Sequence, residues 1–246
     1  MRTKLFLFFM ICLCFSCMKQ NRVIDYPVID KKNTTTMELY RVELMDTATV
    51  LYAEMYNHPN YWVRLSSGAY LEGLTSGKKY KLLKSADMEL DKKVYMPESG
   101  NSSVTLFFEP VDPNEDAISF IEGLEKGDFR IEGIHLKKEP AKPGTFECIL
   151  EGEVIDRPFS SRLTLIRTGK DIRTTPLLSI PVRNGKFKYV LTANENEMYE
   201  LVFWDEHLNG AWCPTYFISE KGTLHFTLYP MEHRPHSVMR ADGALN

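Results

Sequence analysis

The side chains best suited to chemistry are few and widely separated. Trp212-Cys213-Pro214-Thr215-Tyr216 sets a cysteine between an aromatic ring and a proline, an order suited to thiol–disulfide exchange. Exchange needs a second thiol to resolve the mixed disulfide and a helix N-terminus to lower the first thiol's pKa. Position 216 is tyrosine, and Phe217-Ile218 reads as strand, so Cys213 is expected to be structural. His233 and His236 flank Arg234-Pro235 beside Glu232. Zinc wants three or four donors on a rigid scaffold, and this run reads as a solvated loop. Asp112-Pro113-Asn114-Glu115-Asp116 alternates oxygen donors as the start of a calcium loop does. Ala117 and Gly123 stand where that loop's glycine and closing glutamate belong, so an acidic turn is expected. Glu115 and Asp116 are paired carboxylates in a turn, with no cleft around them. No Gly-x-Ser-x-Gly elbow and no glycine-rich phosphate loop occurs. The expectation is a chain with no catalytic residues, no metal and no cofactor.

Binding residues are easier to nominate. Tyr56, Tyr61 and Trp62 surround the turn Asn57-His58-Pro59-Asn60 and are candidates for an exposed platform for a glycan or peptide. The alternative is that the three rings fill a core. Of five cysteines, Cys12, Cys14 and Cys17 lie near the N-terminus, leaving Cys148 and Cys213 for the folded part. An oxidising compartment permits a Cys148–Cys213 disulfide, and two free thiols are the alternative.

What positions these residues begins with an address. Arg2 and Lys4 precede an uncharged run from Leu5 to Phe15, closed by Ser16-Cys17. A spanning helix needs about twenty apolar residues, so this run is too short to be a permanent anchor. Its length and flanks are those of a secretory signal. A small residue followed by cysteine predicts cleavage before Cys17 and lipid attachment to its sulfur. This resembles a bacterial lipobox, although Cys14 holds the position where leucine is usual. An ordinary signal peptide cut nearby, or an uncleaved hydrophobic start, is the alternative. The chain is then expected in the cell envelope, lipid-anchored and on a periplasm-facing outer membrane. Its net charge is −3, more acidic still without Arg2 and Lys4, which suits no nucleic-acid partner.

Residues 17–35, with two Val-Ile-Asp echoes and one proline, read as a flexible tether. From residue 36 to 137, apolar-aromatic segments at period two recur about every ten residues between turn-formers. Examples are Val50–Tyr56, Tyr61–Leu65, Val104–Phe108 and Ile118–Ile121. No window sustains an apolar stripe at helical spacing. Residues 138–145 are charged and carry Pro and Gly, as a linker would, and a second strand-rich run fills 146–246. Within it Asn184-Gly185 predicts a type I′ hairpin, whose two central positions need φ > 0. The predicted class is all-β: two tandem immunoglobulin-like β-sandwich domains after a signal peptide and a short tether.

Several of these stretches resemble the N-terminal, non-thioredoxin region of the Bacteroides-type TlpA-like thiol-disulfide oxidoreductase lipoproteins. In the first half they are Val42–Tyr52, Tyr61–Leu65, Met96–Gly100 and Ile118–Gly123. In the second they are Val182–Phe187, Tyr199–Leu201 and Tyr216–Leu224, similar to the domain of unknown function that precedes the thioredoxin module. Gly243-Ala244-Leu245-Asn246 looks like that domain's closing strand. The resemblance implies disulfide reduction for members that carry a Cys-x-x-Cys thioredoxin module, and the expected folded part, with only Cys148 and Cys213, has no such pair. The expectation is therefore a non-catalytic binding or accessory module, with an envelope protein as partner. A glycan-binding lipoprotein, or an oxidoreductase missing its thioredoxin domain, is the alternative.

Overall fold

The computed structural model of the chain describes residues 22–125, 127–137, 143–172, 177–241 and 245–246. The leader and Cys17 therefore lie outside the described residues. Among the described residues no helix is long and apolar enough to cross a membrane. The first half is built from strands β1 (Arg22–Asp25), β2 (Ile29–Lys32), β3 (Met37–Leu44), β4 (Thr49–Tyr56), β5 (Trp62–Val63) and β6 (Tyr70–Gly73). It continues with β7 (Lys79–Ser85), β8 (Val94–Tyr95), β9 (Asn101–Phe108), β10 (Ala117–Ile121) and β11 (Arg130–His135). β5 and β8 form a separate two-stranded ribbon, and the other nine make one sheet in the order β1-β3-β4-β9-β7-β6-β10-β11-β2.

The expected all-β class holds, with one sheet in this half curled into a half-barrel. β1 and β2 stand at opposite ends of the hydrogen-bonded order, yet only Tyr26, Pro27 and Val28 separate them in the chain. The sheet must curl for both pairings to form, and Tyr26 at φ 50° makes the corner. Residues 22–32, expected as part of a tether, are thus structural. Val23 lies opposite Glu43, and Ile29 lies opposite Ile134. The two Val-Ile-Asp echoes are the strands on either side of a Tyr-Pro corner.

Inside the curl, Leu51, Ala53 and Met55 from β4 meet Ile118 and Phe120 from β10 and Ile131 and Ile134 from β11 in one core. Phe108 and Phe120 pack edge to face at 6.2 Å. Each such fully buried large side chain contributes roughly 1.5–3 kcal/mol. Period-two alternation puts Glu54 and Tyr56 on the opposite face of β4, yet they are only 1% and 6% exposed. Something covers the outer face as well, and it is the second half of the chain.

That half comprises β12 (Thr145–Val154), β13 (Arg162–Arg167), β14 (Leu178–Pro181), β15 (Lys186–Asn194) and β16 (Met198–Phe203). The short helix α1 (Trp204–Leu208), β17 (Thr215–Ile218), β18 (Gly222–Leu228) and β19 (Val238–Ala241) follow. Two four-stranded sheets, β15-β12-β18-β19 and β14-β13-β16-β17, enclose a shared core. Phe217 stands inside it, stacked on Tyr199 at 5.5 Å and edge-on to Phe226 at 5.5 Å. The Asn184-Gly185 hairpin forms as its sequence predicts, with φ of 50° and 70°. Arg183 and Lys186 exchange both backbone hydrogen bonds around it, at 2.8 and 2.9 Å. β12 begins at Thr145, the last residue of the expected linker, and residues 138–142 lie outside the described residues.

A buried carboxylate ties down the turn before β10. Glu115 is 1% exposed and accepts hydrogen bonds from the Thr75 N–H at 2.9 Å and from the Ser76 hydroxyl. A Cβ at Gly73 would overlap that carboxylate, so the strand end needs glycine. Burial pushes the Glu115 carboxyl up, but the bonds from Ser76 and Thr75 outweigh it and hold it below the usual range. Its stabilising contribution is present above the unfolded value of 4.5 and is lost as pH falls through the lower folded value. Glu115→Gln is expected to flatten the acid limb of the stability profile below pH 4.5, measured as urea midpoints across pH.

Candidate functional site

The β5–β8 ribbon presents the most exposed aromatic group suited to binding. Trp62 lies opposite Tyr95, and Val63 lies opposite Val94. Val63 is 3% exposed and anchors the ribbon in the half-barrel core, so Trp62 and Tyr95 face outward at 45% and 64%. Tyr61 is 62% exposed, with its ring 5.4 Å from that of His58. The Lys93 ammonium lies 4.4 Å from the Trp62 ring centroid. The root of the ribbon is held firmly. The Asn57 amide donates to the Trp62 carbonyl at 2.9 Å, and Asn60 N–H donates to the Met96 carbonyl at 3.1 Å. Met96 N–H in turn donates to the Tyr61 carbonyl at 2.7 Å.

Of the three rings nominated from sequence, Tyr61 and Trp62 stand together here and Tyr56 does not. Tyr56 belongs to β4's outer face, where its hydroxyl donates to the Ser161 carbonyl at 3.3 Å. Burial pushes its phenol well above the ordinary range. Its place in the platform is taken by Tyr95, missed because Val94-Tyr95 is too short to show alternation.

The contact between the halves is a pair of arginine clasps. The Arg162 guanidinium is 5% exposed and sandwiched between the rings of Tyr56 and Trp204, at 4.1 and 4.2 Å. It donates to the Thr35 carbonyl at 3.0 Å and lies 3.5 Å from Glu38. Glu38 is also paired with Lys32 at 2.5 Å. Arg183 lies over the Tyr40 ring at 3.4 Å and donates through Nε to Glu54 at 2.8 Å. Tyr26 and Tyr189 close one side edge to face at 5.2 Å, and burial pushes the Tyr189 phenol up to about 12. Behind the first clasp the stacking continues outward. Trp204 is 5.1 Å from His207, and His207 is 5.4 Å from Trp212. The Trp212 indole then donates to Glu200 at 2.7 Å. α1 is held in place by Arg157, which bonds Glu206 at 2.5 Å and Asp205 at 2.6 Å.

The candidate disulfide does not form, and Cys148 and Cys213 are free thiols. Cys148 is buried on the inner face of β12, where burial pushes its thiol up. Cys213 sits in the loop before β17, with Sγ 3.7 Å from the Met231 sulfur. The Trp-Cys-Pro run is thus a loop stapled by its indole. Asp112–Asp116 is a turn in which Asp112 accepts from the backbone and side-chain amides of Asn114, both at 2.9 Å, while Glu115 points inward. Met231–His236 is a 3-10 turn. Among the described residues no three His, Cys, Asp or Glu side chains are grouped to hold a metal. The geometry offers stacking and hydrogen bonding. No family model, no curated protein and no solved structure matches this chain.

Proposed function

We propose that this chain is a non-catalytic binding module of the cell envelope, lipid-anchored through Cys17, that recognises glycans on its aromatic ribbon. The observation that carries this reading is the outward trio Tyr61, Trp62 and Tyr95 on a ribbon with a fixed root. Size decides between ligand classes. A fully buried aromatic ring accounts for about 150–250 Å², so three half-exposed rings offer roughly 300 Å². A protein partner needs about 800 Å² on each side, whereas one or two sugar rings are covered by this area. The leader supports the location, and Cys17 supports the anchor.

The finer fold reading, an immunoglobulin-like sandwich, is kept in this proposal for the second half, whose two four-stranded sheets enclose one core, and not for the first half, which is a single curled nine-stranded sheet. Kinship with the non-thioredoxin region of TlpA-like oxidoreductases belongs to the same proposal. What supports the kinship is sequence alone, in the strand-and-turn stretches Val182–Phe187 and Tyr216–Leu224.

A glycan array on the chain without its leader tests the ribbon. Trp62→Ala is expected to weaken any glycan bound by about tenfold or more, which is roughly 1.4 kcal/mol. Tyr216→Ala, which removes an exposed ring elsewhere, should leave binding intact. Binding that survives Trp62→Ala, or no glycan bound at all, removes the reading.

A further inference from the structure

Beside the Arg183 clasp, the two halves leave a cleft between them of roughly 790 Å³. Ligand pockets of about 300–1,000 Å³ commonly form where two structural units meet. One wall is the outer face of β4 and β9, with Glu54, Asn101 and Ser103. The other is the loop after β12 and the tip of the Asn184-Gly185 hairpin. The walls are polar and already organised. Glu54, 1% exposed, accepts from Ser103 at 2.9 Å, from Asn101 at 3.3 Å and from Arg183 at 2.8 Å.

Charge and hydrogen-bonding capacity decide what such a cleft takes. The lining carries two guanidiniums, Arg157 and Arg183, and two carboxylates, Glu54 and Asp156, with Arg183 paired to Glu54 and Arg157 to Asp205 and Glu206. A net anion meets the two carboxylates and a net cation meets the two guanidiniums, so neither sign is favoured across the cleft. A hydroxyl group both donates and accepts, and can serve carboxylate and guanidinium alike. The Asn184 carboxamide adds donors and an acceptor from a hairpin tip whose backbone is fixed in the left-handed region.

We infer that this cleft is a second binding site, taking a small, neutral, polyhydroxylated ligand of mono- or disaccharide size. The inference does not rest on the ribbon reading, since the two sites share no residue. The test is isothermal titration calorimetry on the chain without its leader. Maltose, cellobiose, lactose and sucrose are the probes, with glucuronate and glucosamine as charged counterparts. At least one neutral sugar is expected to bind more tightly than both charged ones. Asn184→Gly keeps a residue suited to φ > 0 and removes only the carboxamide, so it should weaken that sugar at least fivefold without moving Tm. Ser103→Ala should also weaken it, and Trp62→Ala should not. The inference fails if no neutral sugar binds, if a charged counterpart binds as well, or if Asn184→Gly binds unchanged. Loss on Trp62→Ala alone would move the sugar to the ribbon, overturning the cleft while leaving the ribbon reading in place.

Discussion

Replacing Arg162 with alanine is expected to cost about 3 kcal/mol of stability and to separate the unfolding of the two halves. Three contributions are lost together. The guanidinium fills the gap between Tyr56 and Trp204, so truncation opens a space between two rings. The Thr35 carbonyl loses its donor, and Glu38 loses one of its two cations. Breaking a buried ion pair from one side typically costs about 3–5 kcal/mol, and the surviving Lys32–Glu38 pair places this case at the low end. Arg162→Met separates the causes. It refills the space without charge, and should recover more than half of the loss if packing dominates. Arg162→Lys keeps the charge but not the plane that both rings stack on, so it should recover less. The measurements are denaturant unfolding followed by far-ultraviolet circular dichroism and by tryptophan emission, to which Trp62 contributes from the first half and Trp204 and Trp212 from the second. One coincident transition in the parent and two in Arg162→Ala is the expected result. An unchanged single transition would show that the halves are held by something else.

A comparable loss, again about 3 kcal/mol, is expected from adding a single methyl group at Gly152. This residue sits in β12 between Phe187 of β15 and Phe226 of β18. A Cβ there would overlap the Phe226 carbonyl oxygen and carbon, which are backbone and cannot swing aside. Inserting volume into a packed site costs about 1–3 kcal/mol, and a backbone collision belongs at the upper end. β12 and β18 run parallel through the middle of their sheet, so displacing one moves Cys148, Leu150 and Leu224 out of the shared core. Thermal unfolding of Gly152→Ala checks this. Gly77→Ala is the control, because open space surrounds its Cβ and only its positive φ of 69° is strained.

Much of the strand order could be read from period-two patterns. Val104–Phe108, Ile118–Ile121 and the Asn184-Gly185 hairpin lie where alternation and turn chemistry put them. What escaped depends on partners distant in sequence. Glu54 alternates with Ala53 and Met55 as a solvent-facing residue would, and its burial depends on Asn101, Ser103 and Arg183, all distant in sequence. Sequence proximity groups Tyr56 with Tyr61 and Trp62, but the strand ends between them and the chain turns at Asn57–Asn60. β1 and β2 are four residues each on either side of a Tyr-Pro corner, too short to distinguish from a tether. α1, at five residues, is less than two helical turns and leaves no periodic trace. Half of the ribbon was legible and half was not, because Tyr95 is joined to Trp62 by pairing alone.

The corner at Tyr26–Val28 also dictates an order of assembly. Among the described residues β2 has one hydrogen-bonded neighbour, β11, with Ile29 waiting for Ile134, so the half-barrel cannot zip shut until its last strand has been synthesised. Pairings this far apart in sequence form slowly, because the entropy of closing the loop is lost before any contact rewards it. A polypeptide wired in this way stays open for most of its emergence from the ribosome.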